Sequence, residues 1–328
     1  MRVLFLIEHD RPERGNYRLL NPFMRKLRKH CDLEEIVLPA LQDKIKKGYT
    51  ANDLYKDYKP DVTIVYGNFV SLINTSWFKE LKGAKVIVIV DFHAHISNNP
   101  DIMDRYKQNS FDLMVMRGAY DKNYKTPIPM VWIPFSADEE VFYPGPKVIN
   151  EIGFAGTISP SVYTTRKKAI KILTKVGLLK RCDKNTCNKG NKKNNKGYPI
   201  FLRSIIAGLT STELYDWPST PRAKTFEIIG SGTVLLSTYF LGMEEMLGED
   251  GIHYVKYKED CSDIVSKAKE IIKNPERTSF IAKNGLEVFL KKHTDSIRIK
   301  EFYDHLVRLV EGKPIERNYE WEVKEITK

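Results

Sequence analysis

Between Pro221 and Ser237 the chain sets a proline, two cations and one carboxylate close together: Pro221, Arg222, Lys224 and Glu227. A break at Gly230-Ser231-Gly232 follows, and then the apolar run Thr233-Val234-Leu235-Leu236. Proline suits a first helical turn. A helix N-terminus carries unpaired N–H groups and a partial positive charge, so it favours phosphate. Arg222 and Lys224 add mobile positive charge at that end. Glu227, one turn in, is badly placed for phosphate and well placed to accept hydrogen bonds from ribose hydroxyls. The glycine break ends the helix and turns the chain into a strand. The stretch reads either as a nucleotide-diphosphate cradle or as an ordinary helix–strand turn with a surface glutamate.

A second cluster, "DFHAHIS", holds Asp91, His93 and His95. Alternate residues of an extended segment share a face, so Asp-x-His-x-His has the spacing of metal ligands. No second cluster completes such a set, and no metal is expected. A carboxylate or histidine here could instead act as general base on an acceptor hydroxyl, or simply hold structure by hydrogen bonding. A third cluster follows the first apolar run. "EHDRPERGNY" carries His9, Asp10, Arg11, Glu13 and Arg14, and Gly15-Asn16 would let the backbone approach a sugar phosphate closely. His9, Arg14, Gly15 and Asn16 are the candidates there to contact a bound ligand. His293 precedes Thr294, a natural N-cap, and reads as a structural helix junction.

The elements that would position these groups alternate. Arg2–Ile7, Leu33–Leu38, Asp61–Gly67, Ala84–Asp91, "FDLMVM" and "PMVWIPF" read as strands. Helical periods fall at Asn16–His30, Tyr49–Tyr58, Leu72–Leu81 and Pro100–Asn109. Continuous Val/Ile runs flanked by helices imply parallel strands covered on both faces, a doubly wound α/β sheet. The alternation pauses in the Pro-rich "SADEEVFYPGPKV" and then restarts. Strands follow at "EIGFAG", Ile205–Leu209, Thr233–Ser237 and "IHYVKY", and helices at Thr164–Val176, Pro199–Ser204, Pro221–Ile229, Ser262–Lys273, Glu276–Lys291 and Thr294–Val310. The reading is two Rossmann-like domains: 1–136, a linker at 137–149, and 150–293. The last segment, 294–328, should pack back toward the first domain. Ligands in open α/β sheets sit beyond the carboxyl ends of the strands, so two such domains facing each other would enclose a central cleft.

Bulk properties narrow the field. With 42% hydrophobic and 29% charged residues the chain is globular, and no apolar run approaches the roughly 20 residues of a membrane span. The first apolar run is cut by Glu8, His9 and Asp10, unlike a signal peptide. A cytoplasmic location is expected, with peripheral contact at the inner face of a membrane as the further option. Cys31, Cys182, Cys187 and Cys261 are expected to be free thiols in a reducing compartment. The formal charge of +11 points to an anionic partner. Part of it is concentrated in Lys180–Gly197, with seven basic residues and one acid. That stretch reads as a solvated insertion or as a landing pad for anionic lipid. No aromatic interleaving there supports nucleic acid.

Three segments resemble one family. "KTFEIIGSGTVLLSTYFLGMEEMLGEDGIHYVKY" is similar to the donor-binding half of GT-B glycosyltransferases. Lys273–Phe302, with Asn-Pro-Glu-Arg, Ile-Ala-x-Asn-Gly and His-Thr-x-x-x-Arg, resembles the group that includes spore-maturation-protein-like enzymes. Trp132–Pro144 resembles the interdomain linker of family-4-like members. The resemblance implies sugar transfer from a UDP- or GDP-linked donor to an acceptor hydroxyl of a glycan, a lipid or another molecule. It implies no bound cofactor and no metal. Glu227 takes the place of the ribose-holding glutamate, and Lys224 that of a basic residue beside it. Gly156 and Thr157 match the turn facing the donor phosphates. Arg166 and Lys167 stand where cations contact the diphosphate, and Gly242, Met243 and Glu244 in a loop approaching the nucleotide. His93 corresponds to a histidine touching the donor sugar, and the acceptor falls to the N-terminal half. Many retaining members carry two glutamates separated by seven residues; counting back from Glu227, Ser219 stands in the first place instead. Retention of configuration is the implied course. A binding or scaffold relative without turnover is the alternative.

Overall fold

The structure is a computed structural model that describes residues 1–7, 22–66, 75–89, 102–118, 128–156, 158, 163–182, 197–212, 221–240 and 242–315. The described residues fall into two compact units. One comprises residues 1–134 together with the C-terminal helix from Arg298 onward; the other is residues 135–297.

The first unit is built on a six-stranded sheet in the order β2-β1-β3-β4-β5-β6. Its strands are β1 (Arg2–Ile7), β2 (Asp32–Val37), β3 (Val62–Tyr66), β4 (Ala84–Ile89), β5 (Leu113–Met116) and β6 (Met130–Trp132). Every pairing is parallel. All four residues of β5 are buried, as are five of the six in β1, so both faces of the sheet are covered. The helices are α1 (residues 22–27), α2 (Leu38–Lys46), α3 (Ala51–Tyr58), α4 (Thr75–Glu80) and α5 (Ile102–Gln108). Helix α2 goes beyond the sequence reading. Pro39 sits in its first turn, where a proline is tolerated, and Leu38 and Leu41 bury one face.

The second unit carries a five-stranded sheet, β11-β10-β9-β7-β8, again all parallel. Its strands are β7 (Ile149–Phe154), β8 (Leu179–Arg181), β9 (Ile205–Leu209), β10 (Val234–Ser237) and β11 (Val255–Lys256). Helices α6 (Thr164–Lys175), α7 (Gly197–Ser204), α8 (Ala223–Gly230), α9 (Met243–Leu247), α10 (Ile264–Lys273) and α11 (Pro275–Lys292) surround it, and α12 (Asp295–Val310) ends the described chain. Two strand readings change. The short edge strand β8 lies where a basic loop was expected to begin. "IHYVKY" yields only two strand residues, because Asp250 bridges to Tyr254 and its side chain accepts from the Lys256 N–H at 2.8 Å, folding that segment on itself.

Each unit has its own apolar core. Phe5, Ile64, Val88 and Val115 centre the first, joined by Ile299, Phe302 and Leu306 from α12. Ile152, Leu173, Ala207, Leu236 and Ile264 centre the second. Residues 137–149, read as a linker, lie in the second unit. There Ala137 bridges Thr294, and the Ser136 hydroxyl donates to Asp295 Oδ1 at 2.5 Å. Thr294 Oγ1 accepts from the Ile297 N–H at 3.3 Å, the N-cap role that the sequence suggested.

Candidate functional site

The carboxyl ends of β7, β9 and β10 lie side by side in the second unit, and the segments leaving them gather several polar side chains. β7 runs out through Ala155 into Gly156, whose φ of +142° suits glycine. Lys224, in the first turn of α8, reaches this turn. Its ammonium donates to the Ala155 carbonyl, and a Cβ on Gly156 would fall on that nitrogen. The ammonium also lies 5.0 Å from the centre of the Phe154 ring.

Arg166 comes from the first turn of α6 and is buried. Its Nε donates to Ser211 Oγ at 3.2 Å and its Nη2 to the Ser211 carbonyl at 3.1 Å, fastening the segment after β9. The guanidinium lies 3.7 Å from the centre of the Tyr163 ring. Burial pulls its pKa down, and the neighbouring Arg222 charge pulls the same way. Arg166, Arg222 and Lys224 thus concentrate positive charge where three parallel strands end. Like charges held together raise the energy of the empty site and lower it once an anion arrives.

The segment after β10 is held to the one after β9. Thr212 and Thr238 hydroxyls are 3.0 Å apart, Thr212 Oγ1 donates to the Tyr239 carbonyl at 2.7 Å, and the Tyr257 hydroxyl donates to the Thr210 carbonyl at 3.0 Å. These bonds satisfy buried backbone groups and leave the strand ends in fixed positions.

Glu227 follows Lys224 by three residues, on the same side of α8. Its side chain is 2% exposed and accepts a hydrogen bond from the Tyr198 hydroxyl, from the first turn of α7, at 2.6 Å. The sequence reading weighed a nucleotide-diphosphate cradle against an ordinary helix–strand turn with a surface glutamate; Glu227 does not lie at the surface. Helix α8 itself has a buried face throughout its last six residues. His293, the C-cap of α11, lies tilted against Phe226 with centroids 4.7 Å apart and bonds the Met246 carbonyl at 2.9 Å, a structural junction as expected.

Residues 175–304 match the model of a family described as glycosyl transferase-like. Comparison with curated proteins gives no match. Solved structures similar in fold include a sucrose-phosphate synthase from Thermosynechococcus elongatus, 9% identical, TM-score 0.67, over 95% of this chain and 100% of that one. Another is Anabaena HepE in complex with UDP and glucose, 11% identical, TM-score 0.63, over 94% and 99%. A third is an alpha-glucosyltransferase in complex with UDP-glucose and DNA, 12% identical, TM-score 0.64, again over 94% and 99%. The chain has the GT-B fold.

Within this GT-B chain the remaining expected positions divide. Gly242 has a φ of +75° and stands before α9 as its N-cap. Met243 is fully buried and serves the core; its side chain is one of the apolar anchors of a very short helix. Glu244 is exposed and pairs with Lys256 at 3.9 Å. Lys167 points away from Arg166 into solvent, since adjacent helical residues face different sides. Thr157 lies outside the described residues, as do His9, Arg14, Gly15, Asn16, Asp91, His93, His95 and Ser219. So does most of the basic stretch, residues 183–196; Lys180 and Arg181 at its start are exposed. No group of three or more His, Cys, Asp or Glu suited to a metal occurs among the described residues. No helix among them is long and apolar enough to cross a membrane.

The thiol expectation needs correction. Cys31 and Cys261 are free, but Cys182, next after β8, is disulfide-bonded. The compartment argument weighed redox surroundings alone; Cys187 lies outside the described residues. Tyr198 and Ser211 are the site residues that sequence reasoning missed. A tyrosine at the edge of a Lys/Asn-rich stretch carries no signal of its own. Only the fold brings it 29 positions along the chain to Glu227.

Proposed function

We propose that the second unit binds a nucleotide-diphosphate sugar, UDP-linked, and that the chain transfers the sugar to an acceptor hydroxyl. The observation that carries this reading is the pairing at the ends of β7, β9 and β10. Three cations, Arg166, Arg222 and Lys224, gather there, Lys224 against the glycine turn at Gly156. A buried carboxylate, Glu227, follows one helical turn behind. A diphosphate needs the first and a ribose the second. The UDP named with HepE and with the alpha-glucosyltransferase supports uridine over other bases.

In this mechanism Glu227 orients the ribose by accepting its hydroxyl protons in hydrogen bonds. Lys224 and Arg222, with the first N–H groups of α8, stabilise the charge that develops on the departing diphosphate. These cations do the work a divalent ion does elsewhere, so transfer is metal-independent. The acceptor falls to the first unit, where Asp91, His93 and His95 are the proposed catalytic or sugar-contacting groups, and His9, Arg14, Gly15 and Asn16 contact sugar or acceptor. Retention of anomeric configuration is the proposed course. The acceptor is a glycan or lipid hydroxyl, and the basic stretch from Lys180 to Gly197 favours work at an anionic surface.

A thermal-shift panel of UDP, GDP, ADP and CMP tests the reading. UDP at about 100 times its dissociation constant adds about 2.7 kcal/mol, a rise of a few degrees for a chain this size. Glu227→Ala weakens that rise. No response to any nucleotide sinks the proposal. UDP binding without UDP release from any UDP-sugar, with or without acceptor, would leave a binding relative.

A further inference from the structure

The hydroxyl of Tyr198 and the carboxylate of Glu227 meet in a buried place, with the residues 5% and 2% exposed. Their 2.6 Å separation is that of a short hydrogen bond. The tyrosine is itself held. Phe142 meets its ring edge-on, at 6.0 Å between centroids and 74° between planes. Helix α7 behind it is fastened at its far end, where Lys147 Nζ donates to the Arg203 carbonyl at 2.9 Å and to Thr233 Oγ1 at 2.6 Å. A glutamate has three side-chain torsions, and the last is broad. A fixed donor on Oε2 selects one plane for the carboxylate. Two neighbouring hydroxyls on a five-membered ring meet a carboxylate edge well only in such a fixed plane.

We propose that Tyr198 is a positioning residue that fixes the Glu227 carboxylate and thereby sets a preference for ribose over deoxyribose in the bound nucleotide. The inference rests on the ribose role proposed above for Glu227. Tyr198 touches no substrate atom in this scheme; it acts through the carboxylate.

Isothermal titration of UDP, 2′-deoxy-UDP and 3′-deoxy-UDP tests it without knowledge of the acceptor. Four proteins are compared: wild type, Tyr198→Phe, Phe142→Leu and Glu227→Gln. Wild type should prefer UDP by about tenfold or more, the worth of a hydrogen bond to a charged group. Tyr198→Phe should lower UDP affinity about tenfold, leave the deoxy forms nearly unchanged, and bring the ratio toward one. Phe142→Leu, which frees the ring without removing the hydroxyl, should reduce the ratio part of the way. A merely structural tyrosine would weaken all three ligands equally, and that result overturns the inference. So does an unchanged ratio in Tyr198→Phe while Glu227→Gln abolishes the preference; the ribose role of Glu227 then stands alone. If Glu227→Gln keeps the wild-type ratio, the ribose role itself falls, and the inference with it. Should Tyr198→Phe not fold, as judged by its circular dichroism, Phe142→Leu decides: an unchanged ratio overturns the inference.

Discussion

Gly156 concentrates two constraints in one residue. Its φ of +142° is strained for any side chain, and an added Cβ falls on the Lys224 ammonium. The ammonium ends a flexible chain and can move aside, so the steric cost is small. The backbone cost remains, about 1–3 kcal/mol. Gly156→Ala should therefore lose about that much stability in denaturant titration. It should also lose about tenfold in UDP affinity, because the displaced cation no longer faces the diphosphate. An alanine variant that binds UDP normally would remove Lys224 and Gly156 from the site. At another residue, burial pushes the Cys31 thiol up to about 11. Only the thiolate is nucleophilic, and at pH 8 it is about one thiol in a thousand. The sign follows: alkylation of native Cys31 by iodoacetamide should be slow at pH 8 and should climb about tenfold per pH unit up to about pH 10. An ordinary thiol levels off near pH 9. A plateau at pH 9 in the native protein would show that burial does not hold the thiol protonated.

Helices α8 and α11 pack at Gly230, and this contact decides how the site is carried. A Cβ there would come within 2.8 Å of the buried Phe289 ring. Alanine is the better helix former by about 1 kcal/mol. Overpacking a filled contact costs about 1–3 kcal/mol, and the ring sits 1% exposed with little room to yield. Gly230→Ala should accordingly lower the unfolding midpoint despite the propensity gain; a raised midpoint would mean that α11 shifts freely. At this scale the sequence was a good guide wherever apolar runs were continuous. Strands β1, β3, β4 and β9 and helices α6, α8, α10 and α11 stand within a few residues of their expected places. It was a poor guide where side chains override the pattern. The Asp250–Lys256 bond shortens an apparent strand, and three-residue β8 carries too few residues to show a period. The candidate site was legible as charge, in Lys224, Arg166 and Glu227. Its partners were not, because Ser211 and Tyr198 reach it only through tertiary contact. Arg166, expected to face a diphosphate, fastens the segment after β9.

At the scale of the molecule, the two cores are separate and one of them is discontinuous in sequence. Ile299, Phe302 and Leu306 lie in the first core, far along the chain from its strands. Burying each is worth about 1.5–3 kcal/mol. Their sum rivals the whole stability of a domain, about 5–15 kcal/mol. A chain ended after Ile297 should keep a second unit that still responds to UDP. Its first unit should lose its cooperative transition in calorimetry and become the preferred target of limited proteolysis. Two intact transitions in the shortened protein would contradict the packing of α12. The same return of the chain orders events on the ribosome. The six strands are complete by Trp132 but lack their last helix until about 160 further residues have followed. At about 5–20 residues per second that interval is roughly 10–30 s. During it the whole second unit is synthesised and is free to fold, so the half made first is the half finished last.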